Sequence, residues 1–406
     1  MRWRYPYIVA LLVMVLFGAS DMVRGVAAPM MQRDWHLTYF QLSNIFVANS
    51  LGYLVGSFLS GWFIHRLGTR WTVLGSGMGL GVALLLIIDL RSFLALLVSF
   101  ALAGIFSGWQ EIGVNHVVPE MIVEDSLQSK YFNWLHGLYG AGAFVFPAIA
   151  GMLIRTTHSW RFPYIVLLAY LAVPLLLTAS HWPKMTRPMP LQPKSPGSAA
   201  SDVETTGFNG EQKRHLSIKS PLLLLLILSI GFYVMAEIGV ASWLTTYLVG
   251  TRGFSINTAS YVLSAFYFTF TVGRLTAHLW VPRVGDERSI VLGLSLAILL
   301  FSVALTARHI PAASIAAFAL AGLGFSIVFP TIAAVASYRF AAQSGQVLGL
   351  LFTASGVGSL LSNWLIGLVS TTFNLNVGLW LVVFFLVMVL IGMTLLRRLS
   401  RTSLAH

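Results

Sequence analysis

One acid, Glu111, stands well inside an apolar run that begins near Phe93, within the stretch Ser107-Gly-Trp-Gln-Glu-Ile-Gly-Val-Asn-His-Val-Val-Pro-Glu120. An ionised carboxylate in hydrocarbon costs about 3 kcal/mol on insertion scales. Such a residue faces a polar cavity, pairs with a cation, or carries a proton. Asn115 follows at i+4 on the same helical face, and Trp109 and Gln110 set an indole and an amide beside the acid in the chain. Two further acids, Asp21 and Glu237, and two bases, Arg24 and Arg274, also fall inside apolar runs. Asp21 and Arg24 are spaced to pair on one helix, with a purely structural ion pair as the competing reading. Tyr233 stands one turn before Glu237, and Ala241 and Thr245 share its face, so a neighbouring helix can come close. Tyr267, Thr271, Arg274 and His278 line up as one polar stripe. Arg274 could neutralise Glu111 or Glu237, grip an anion with its planar fork, or extend its charge to the membrane edge. Asn133, His136 and Gly140 share another face. Trp109, Trp243, Trp280, Tyr233 and Phe329 offer flat surfaces for a ligand ring, against the alternative of plain packing.

The elements that must hold these groups follow from composition. The chain is 57% hydrophobic and 9% charged, with a mean hydropathy of +0.81. That is the profile of a polytopic membrane protein. Runs long enough to span are expected near 7–31, 40–64, 71–89, 93–119, 131–154, 162–181, 220–248, 256–281, 288–307, 311–337, 344–370 and 376–397. Lipid offers no partners for free backbone groups, so all twelve should be helices. The absence of cysteine removes disulfides, thiolate metal sites and cysteine nucleophiles. No metal or cofactor site is expected, and no motif sets a nucleophile beside a base. The net charge of +12 reads as loop anchoring rather than nucleic-acid binding. With the N-terminus in the cytoplasm, most loop arginines and lysines lie inside, and only Arg33, Arg91, Arg155, Arg161, Arg252 and Arg308 fall outside. Arg2 and Arg4 precede the first run, which reads as a retained anchor. The expectation is a multi-pass protein of the inner (plasma) membrane with both termini cytoplasmic.

The stretch 183–219 is rich in Pro, Ser, Gly and charge and cannot span. It reads as a cytoplasmic linker between an N-terminal six-helix half, 1–182, and a C-terminal one, 220–406. Gly56 and Gly68 recur as Gly273 and Gly285, and Gly142 and Gly151 as Gly358 and Gly367, each at an offset of about half the chain. That pattern argues for two repeats. Gly61 to Arg70 makes a tight connection in which Gly68 suits a turn and Arg66 and Arg70 satisfy the positive-inside rule.

With these features in place, the chain resembles the major facilitator superfamily. Gly61-x-x-x-His-Arg-Leu-Gly-Thr-Arg70 is similar to that superfamily's loop between helices 2 and 3, with His65 where an acid is usual. Glu111-Ile-Gly-Val-Asn115, the Asn133-x-x-His136 segment followed by Pro147, Tyr233-x-x-x-Glu237-x-x-x-x-x-Trp243 and Gly322-Leu-Gly-Phe-Ser-Ile-Val-Phe-Pro-Thr-Ile332 resemble helices 4, 5, 7 and 10 of its fucose–proton symporter and sugar-transporting members. The resemblance implies an all-α, twelve-helix membrane fold that moves a small sugar or sugar-like substrate together with a proton by alternating access. Sodium is the alternative coupling ion, a proton-driven exporter of drugs or sugars the alternative function, and a monomer in the lipid bilayer the expected state. Glu111, Asp21 and Glu237 would then handle the proton. Asn115, Trp109, Gln110, Asn133, His136, Tyr233, Trp243 and Arg274 would meet the substrate, and Arg66, Gly68 and Arg70 would serve the gate. The group's usual helix 1 acid falls on Gly25, one turn after Asp21.

Overall fold

The computed structural model describes residues 4–121, 125–182 and 220–402, and every regular element among them is helical. The expected linker, 183–219, lies outside the described residues. The helices before it are α1 (Arg4–Asp34), α2 (Tyr39–Asp89), α3 (Phe93–Met121), α4 (Asp125–Thr157) and α5 (Phe162–His181). After it come α6 (Pro221–Gly250), α7 (Ile256–Val284), α8 (Asp286–Thr306), α9 (Pro311–Phe325), α10 (Val328–Arg339), α11 (Ser344–Thr372) and α12 (Leu375–Thr402). Among the described residues, ten helical stretches are long and apolar enough to cross a membrane, with α9 and α10 forming one of them. The chain is therefore a multi-pass membrane protein.

Two departures from a simple row of rods have backbone causes. The 51 residues of α2 would reach about 76 Å at 1.5 Å per residue, against a hydrocarbon core of about 30 Å. The helix is broken at Gly68, where φ 79° and ψ 165° lie outside helical space. Only a residue without Cβ takes that conformation cheaply. Gly285, between α7 and α8, has nearly the same geometry, φ 90° and ψ 145°. The tenth apolar run, expected as one helix, is two, because α9 ends at Phe325 and α10 starts at Val328. Pro330 has no N–H to offer the carbonyl of Ser326 one turn back. The freed carbonyls find side chains instead: Tyr233 Oη donates to the oxygen of Phe325 at 2.8 Å, and Arg274 Nε to that of Ser326 at 2.9 Å.

Within the first group α2 packs on α3 and α1 on α4; within the second, α6 packs on α11 and α12, and α9 on α7 and α8. The groups meet through α2 with α11, α4 with α7 and α1 with α6. The points of closest approach lie from mid-helix toward the ends remote from the chain termini. Gly25 sits on the carbonyl of Ala241, Gly151 on Ser260 and Gly367 on Ser43, and the amide of Phe40 donates to Thr371 Oγ1 at 2.7 Å. Ser50 and Ser359 are joined through their hydroxyls at 3.2 Å. Toward the opposite end the arrangement loosens, and a Cβ added at Gly61, Gly137, Gly345 or Gly349 would meet nothing within 4 Å. There the first group closes on a separate apolar cluster of its own, including Val13, Val73, Val114, Val117 and Leu135.

Candidate functional site

The intramembrane acids are not scattered. Asp21 accepts from Arg24 Nη2 at 2.7 Å through one oxygen and from Tyr139 Oη at 3.0 Å through the other. Arg24 also donates through Nη1 to Asn49 Oδ1, and Asn49 passes the network on through Nδ2 to the carbonyl of Phe100 at 3.0 Å. Beside this network is a small pocket of about 20 Å³ lined by Ser20, Asp21, Arg24, Asn49, Ser107 and Tyr164, among others. It has room for about one water, and among its lining groups the buried hydroxyls of Ser20 and Tyr164 have no protein partner.

Glu111 accepts a hydrogen bond at Oε2 from Tyr53 Oη, and it lies within electrostatic reach of Asp21. Its side chain points into the bundle between α2 and α3. Across the groups, Glu237 is in electrostatic range of both Arg274 and Asp21. Tyr267 of α7 feels Glu237, Asp21, Arg274 and Arg24 together. Three carboxylates and two guanidiniums thus share one interior built from α1, α3, α6 and α7. Counted as ionised, they leave one negative charge uncompensated, and a single proton on one acid removes it.

Other expected contacts are placed elsewhere. Asn115 stays half-buried one turn beyond Glu111, and its Oδ1 is buried without a protein partner. Trp109 does not stand beside the acid: its ring stacks on Phe63 at 3.9 Å between centroids and on Phe106. Residues two apart on a helix point about 200° from each other, so sequence adjacency does not make this indole a wall of the acid's cavity. Gln110 is 4% exposed, and its amide lies beside Gly77 inside the first group. Trp243 is fully buried, with its ring edge-to-face against Phe46 at 5.5 Å, which makes it packing between α6 and α2. Tyr233, also fully buried, closes the end of α9. Arg274 does the same through Nε while its guanidinium lies 4.2 Å from the centroid of Phe270. Its remaining donors face Glu237 by field rather than by contact. Asn133 and His136 are exposed on α4, with Arg274 within electrostatic range of His136.

In the loop, Arg66 is exposed and lies over the ring of Trp62 at 4.7 Å. Arg70 donates to the carbonyls of Thr178 and Ala179 at 3.2 and 2.7 Å, closing the C-terminal end of α5. Gly25 abuts the backbone of Ala241, so a carboxylate at that position would have no room, and Asp21 carries the helix 1 acid one turn earlier.

Asn49, Tyr53 and Tyr139, the partners of Arg24, Glu111 and Asp21, are not among the residues that the sequence pattern singles out. Asn49 and Tyr53 do share a face of the second apolar run at i and i+4, and that spacing was the available signal.

Comparison with known proteins agrees with this architecture. The sequence model of the Major Facilitator Superfamily matches residues 9–363 and 251–404. A protein named TsgA homolog from Buchnera aphidicola is 20% identical over 93% of each chain. The Saccharomyces cerevisiae protein named Bypass of stop codon protein 6 is 24% identical over 66% of this chain, which spans 55% of the yeast protein's length. Among solved structures, an inward-facing, occupied bacterial homolog of the human lysosomal transporter Spinster aligns with a TM-score of 0.78 at 14% identity, over 98% of this chain and 97% of that one. A D-xylose–proton symporter aligns with a TM-score of 0.74 at 13% identity, over 97% of each chain.

Proposed function

Because the chain belongs to the Major Facilitator Superfamily and is therefore a membrane transporter, we propose that it carries a sugar or sugar-like solute together with a proton. The single observation that carries this reading is the charge imbalance of the interior set. Asp21, Glu111 and Glu237 face Arg24 and Arg274 with one negative charge in excess. An uncompensated charge makes reorientation through a low-dielectric interior costly, and a proton removes that cost. Glu111 is the acid for this task, since Tyr53 offers it a hydrogen bond and no cation offsets its charge, whereas Asp21 is held by Arg24 and Glu237 lies in the field of Arg274. Asn115, one turn away with a free carbonyl oxygen, is the first solute contact. The sugar-like class rests on the sequence motifs around Glu111 and Asn133.

In this reading the chain crosses twelve times. α2 crosses twice about Gly68, α9 and α10 together once, and α7 despite its polar stripe. The helices form two six-helix halves, 1–182 and 220–406, joined by 183–219. The matching conformations of Gly68 and Gly285 support the repeat, as does the equivalence of the Gly151–Ser260 and Gly367–Ser43 contacts. With the termini in the cytoplasm of a plasma-membrane carrier, the close contacts lie on the outer side and the loose end opens inward. The halves rock about the acid cluster. Glu111 takes a proton outside and releases it inside with the solute.

The test is proton movement in liposomes containing the purified protein, driven by gradients of monosaccharides. Alkalinisation outside on solute entry, absent in Glu111→Gln, supports the reading. Normal coupling in that variant overturns it. Proton movement driven only by lipophilic cations assigns the exporter role instead.

A further inference from the structure

A second polar cleft lies far from the acid cluster, and transport as proposed makes no use of it. It has a volume of about 530 Å³ and is lined by Tyr247, Thr251, Arg252, Arg308, Asn374, Asn376 and Val377. These residues come from the end of α6, the start of α12 and the connections α6–α7, α8–α9 and α11–α12, so the cleft sits where spans end, at headgroup depth. Beyond Glu237, the only acids in the sequence are Asp286 and Glu287. Both lie at the other end of α8, where Glu287 pairs with Arg339. Arg252, Arg308 and the neighbouring His309 therefore make a basic surface with no acid from the second group on this side to balance it.

The cleft is built rather than incidental. Arg252 is fixed by two bonds, from Nη1 to Tyr247 Oη at 3.2 Å and from Nη2 to the carbonyl of Ala307 at 3.0 Å. Tyr247 Oη in turn donates to Asn376 Oδ1 at 3.1 Å, which leaves the Asn376 amide nitrogen as a further donor. Asn374 Oδ1 is engaged by the amide of Val377 at the start of α12. The held guanidinium, the second guanidinium of exposed Arg308, the amide and the hydroxyl of Thr251 are all donors to the same space. Arginine forks suit phosphate oxygens in particular, and 530 Å³ exceeds what a bare inorganic anion fills. Arg252 and Arg308 come from different connections yet line the same cleft.

We propose that this cleft binds a phosphate-bearing headgroup, gripped by Arg252 and Arg308 and held at the membrane surface on the side remote from the termini. Two sources share that chemistry, an anionic phospholipid of the leaflet and a soluble phosphate ester. Phe373 and Ile310, 70% and 61% exposed on the same connections, lie where acyl chains would run.

The experiment measures the thermal unfolding midpoint of the full chain in neutral detergent, titrated with phosphatidylglycerol, phosphatidylcholine or glycerol 3-phosphate. Wild type, R308Q and the double variant R252Q/R308Q are compared. A saturable rise with phosphatidylglycerol but not phosphatidylcholine, weakened at least threefold in R308Q and lost in the double variant, supports the lipid source. The same pattern with glycerol 3-phosphate supports the soluble source. R308Q alone keeps the proposal testable if loss of the Arg252 bonds impairs folding, because Arg308 lies exposed at the rim. Equal shifts with both lipids, no shift with any ligand, or an undiminished shift in R308Q overturns it.

Discussion

Tyr53 and Glu111 are joined hydroxyl to carboxylate across the seam of α2 and α3. This bond holds an intramembrane acid that has no cation in contact and, unlike Glu237, none in electrostatic range. A hydrogen bond to a charged group contributes about 1.5–3 kcal/mol. Tyr53→Phe should therefore lower the rate of solute-driven proton uptake by about tenfold or more while leaving expression and solute binding largely intact. Uptake rates in liposomes, set beside binding in detergent, separate the two effects, and equal loss in both would show that Tyr53 only supports packing.

Glu111→Gln keeps the shape of the side chain and removes its proton exchange. Solute accumulation against a gradient should be abolished, whereas exchange of internal for external solute persists, since exchange needs no net proton movement. Counterflow of radiolabelled solute, measured alongside accumulation, checks this. Loss of exchange as well would place the acid in solute binding instead.

The chain contains no cysteine, so introduced thiols are read without background. Ser50 and Ser359 touch across the two groups at 3.2 Å between hydroxyls. The pair Ser50→Cys/Ser359→Cys should form a disulfide on mild oxidation, seen by mass spectrometry of peptides. Transport should stop on oxidation and return on reduction. Full activity of the oxidised protein would mean that the contact never opens.

Gly25 lies against the carbonyl of Ala241, closer than any side chain allows. Gly25→Leu should hold α1 away from α6 and keep the remote end open. A single Ser50→Cys reporter, buried here at 7% exposure, should react with a water-soluble maleimide at least tenfold faster in that background, a factor worth about 1.4 kcal/mol. An unchanged rate would show that the helices can part at Gly25 without opening the seam.

Gly68 adopts φ 79°, which a β-carbon disfavours. Gly68→Ala should lower stability by about 1 kcal/mol or more, read as a drop in unfolding midpoint. Gly61→Ala, in open space, serves as the control that should cost little.

Much of this was legible in the sequence because lipid makes anomalies loud. Apolar runs mark their own ends, and Asp21, Glu111, Glu237, Arg24 and Arg274 stand out because charge inside such runs is costly. Tyr53 and Asn49 were silent for the opposite reason: a tyrosine or asparagine in an apolar run costs little, and only the approach of another helix gives it a task. Trp109 shows the converse error, where nearness along the chain was taken for nearness in space although two residues of helix turn a side chain to the far side. The break after Phe325 follows from Pro330, but the use of Tyr233 and Arg274 to cover the exposed carbonyls depends on tertiary contacts that no local pattern encodes.

The contact between the two groups of helices has a thermodynamic consequence. Among the described residues, the ion pairs Asp21–Arg24, His116–Glu120 and Glu287–Arg339 all stay within one group, and none straddles the contact. What does cross it is Gly25 against the Ala241 backbone, Gly151 and Gly367 against Ser260 and Ser43, ring packing such as Trp243 on Phe46, one serine pair and one amide-to-threonine bond. Water can replace those few polar partners on separation, and the rest is short-range dispersion that fades within an ångström or two. Separation therefore breaks no ion pair in contact, and once a proton has removed the excess negative charge of the interior set the closed and parted forms can lie close in free energy, so that a bound proton or solute of ordinary affinity suffices to tip the balance between them.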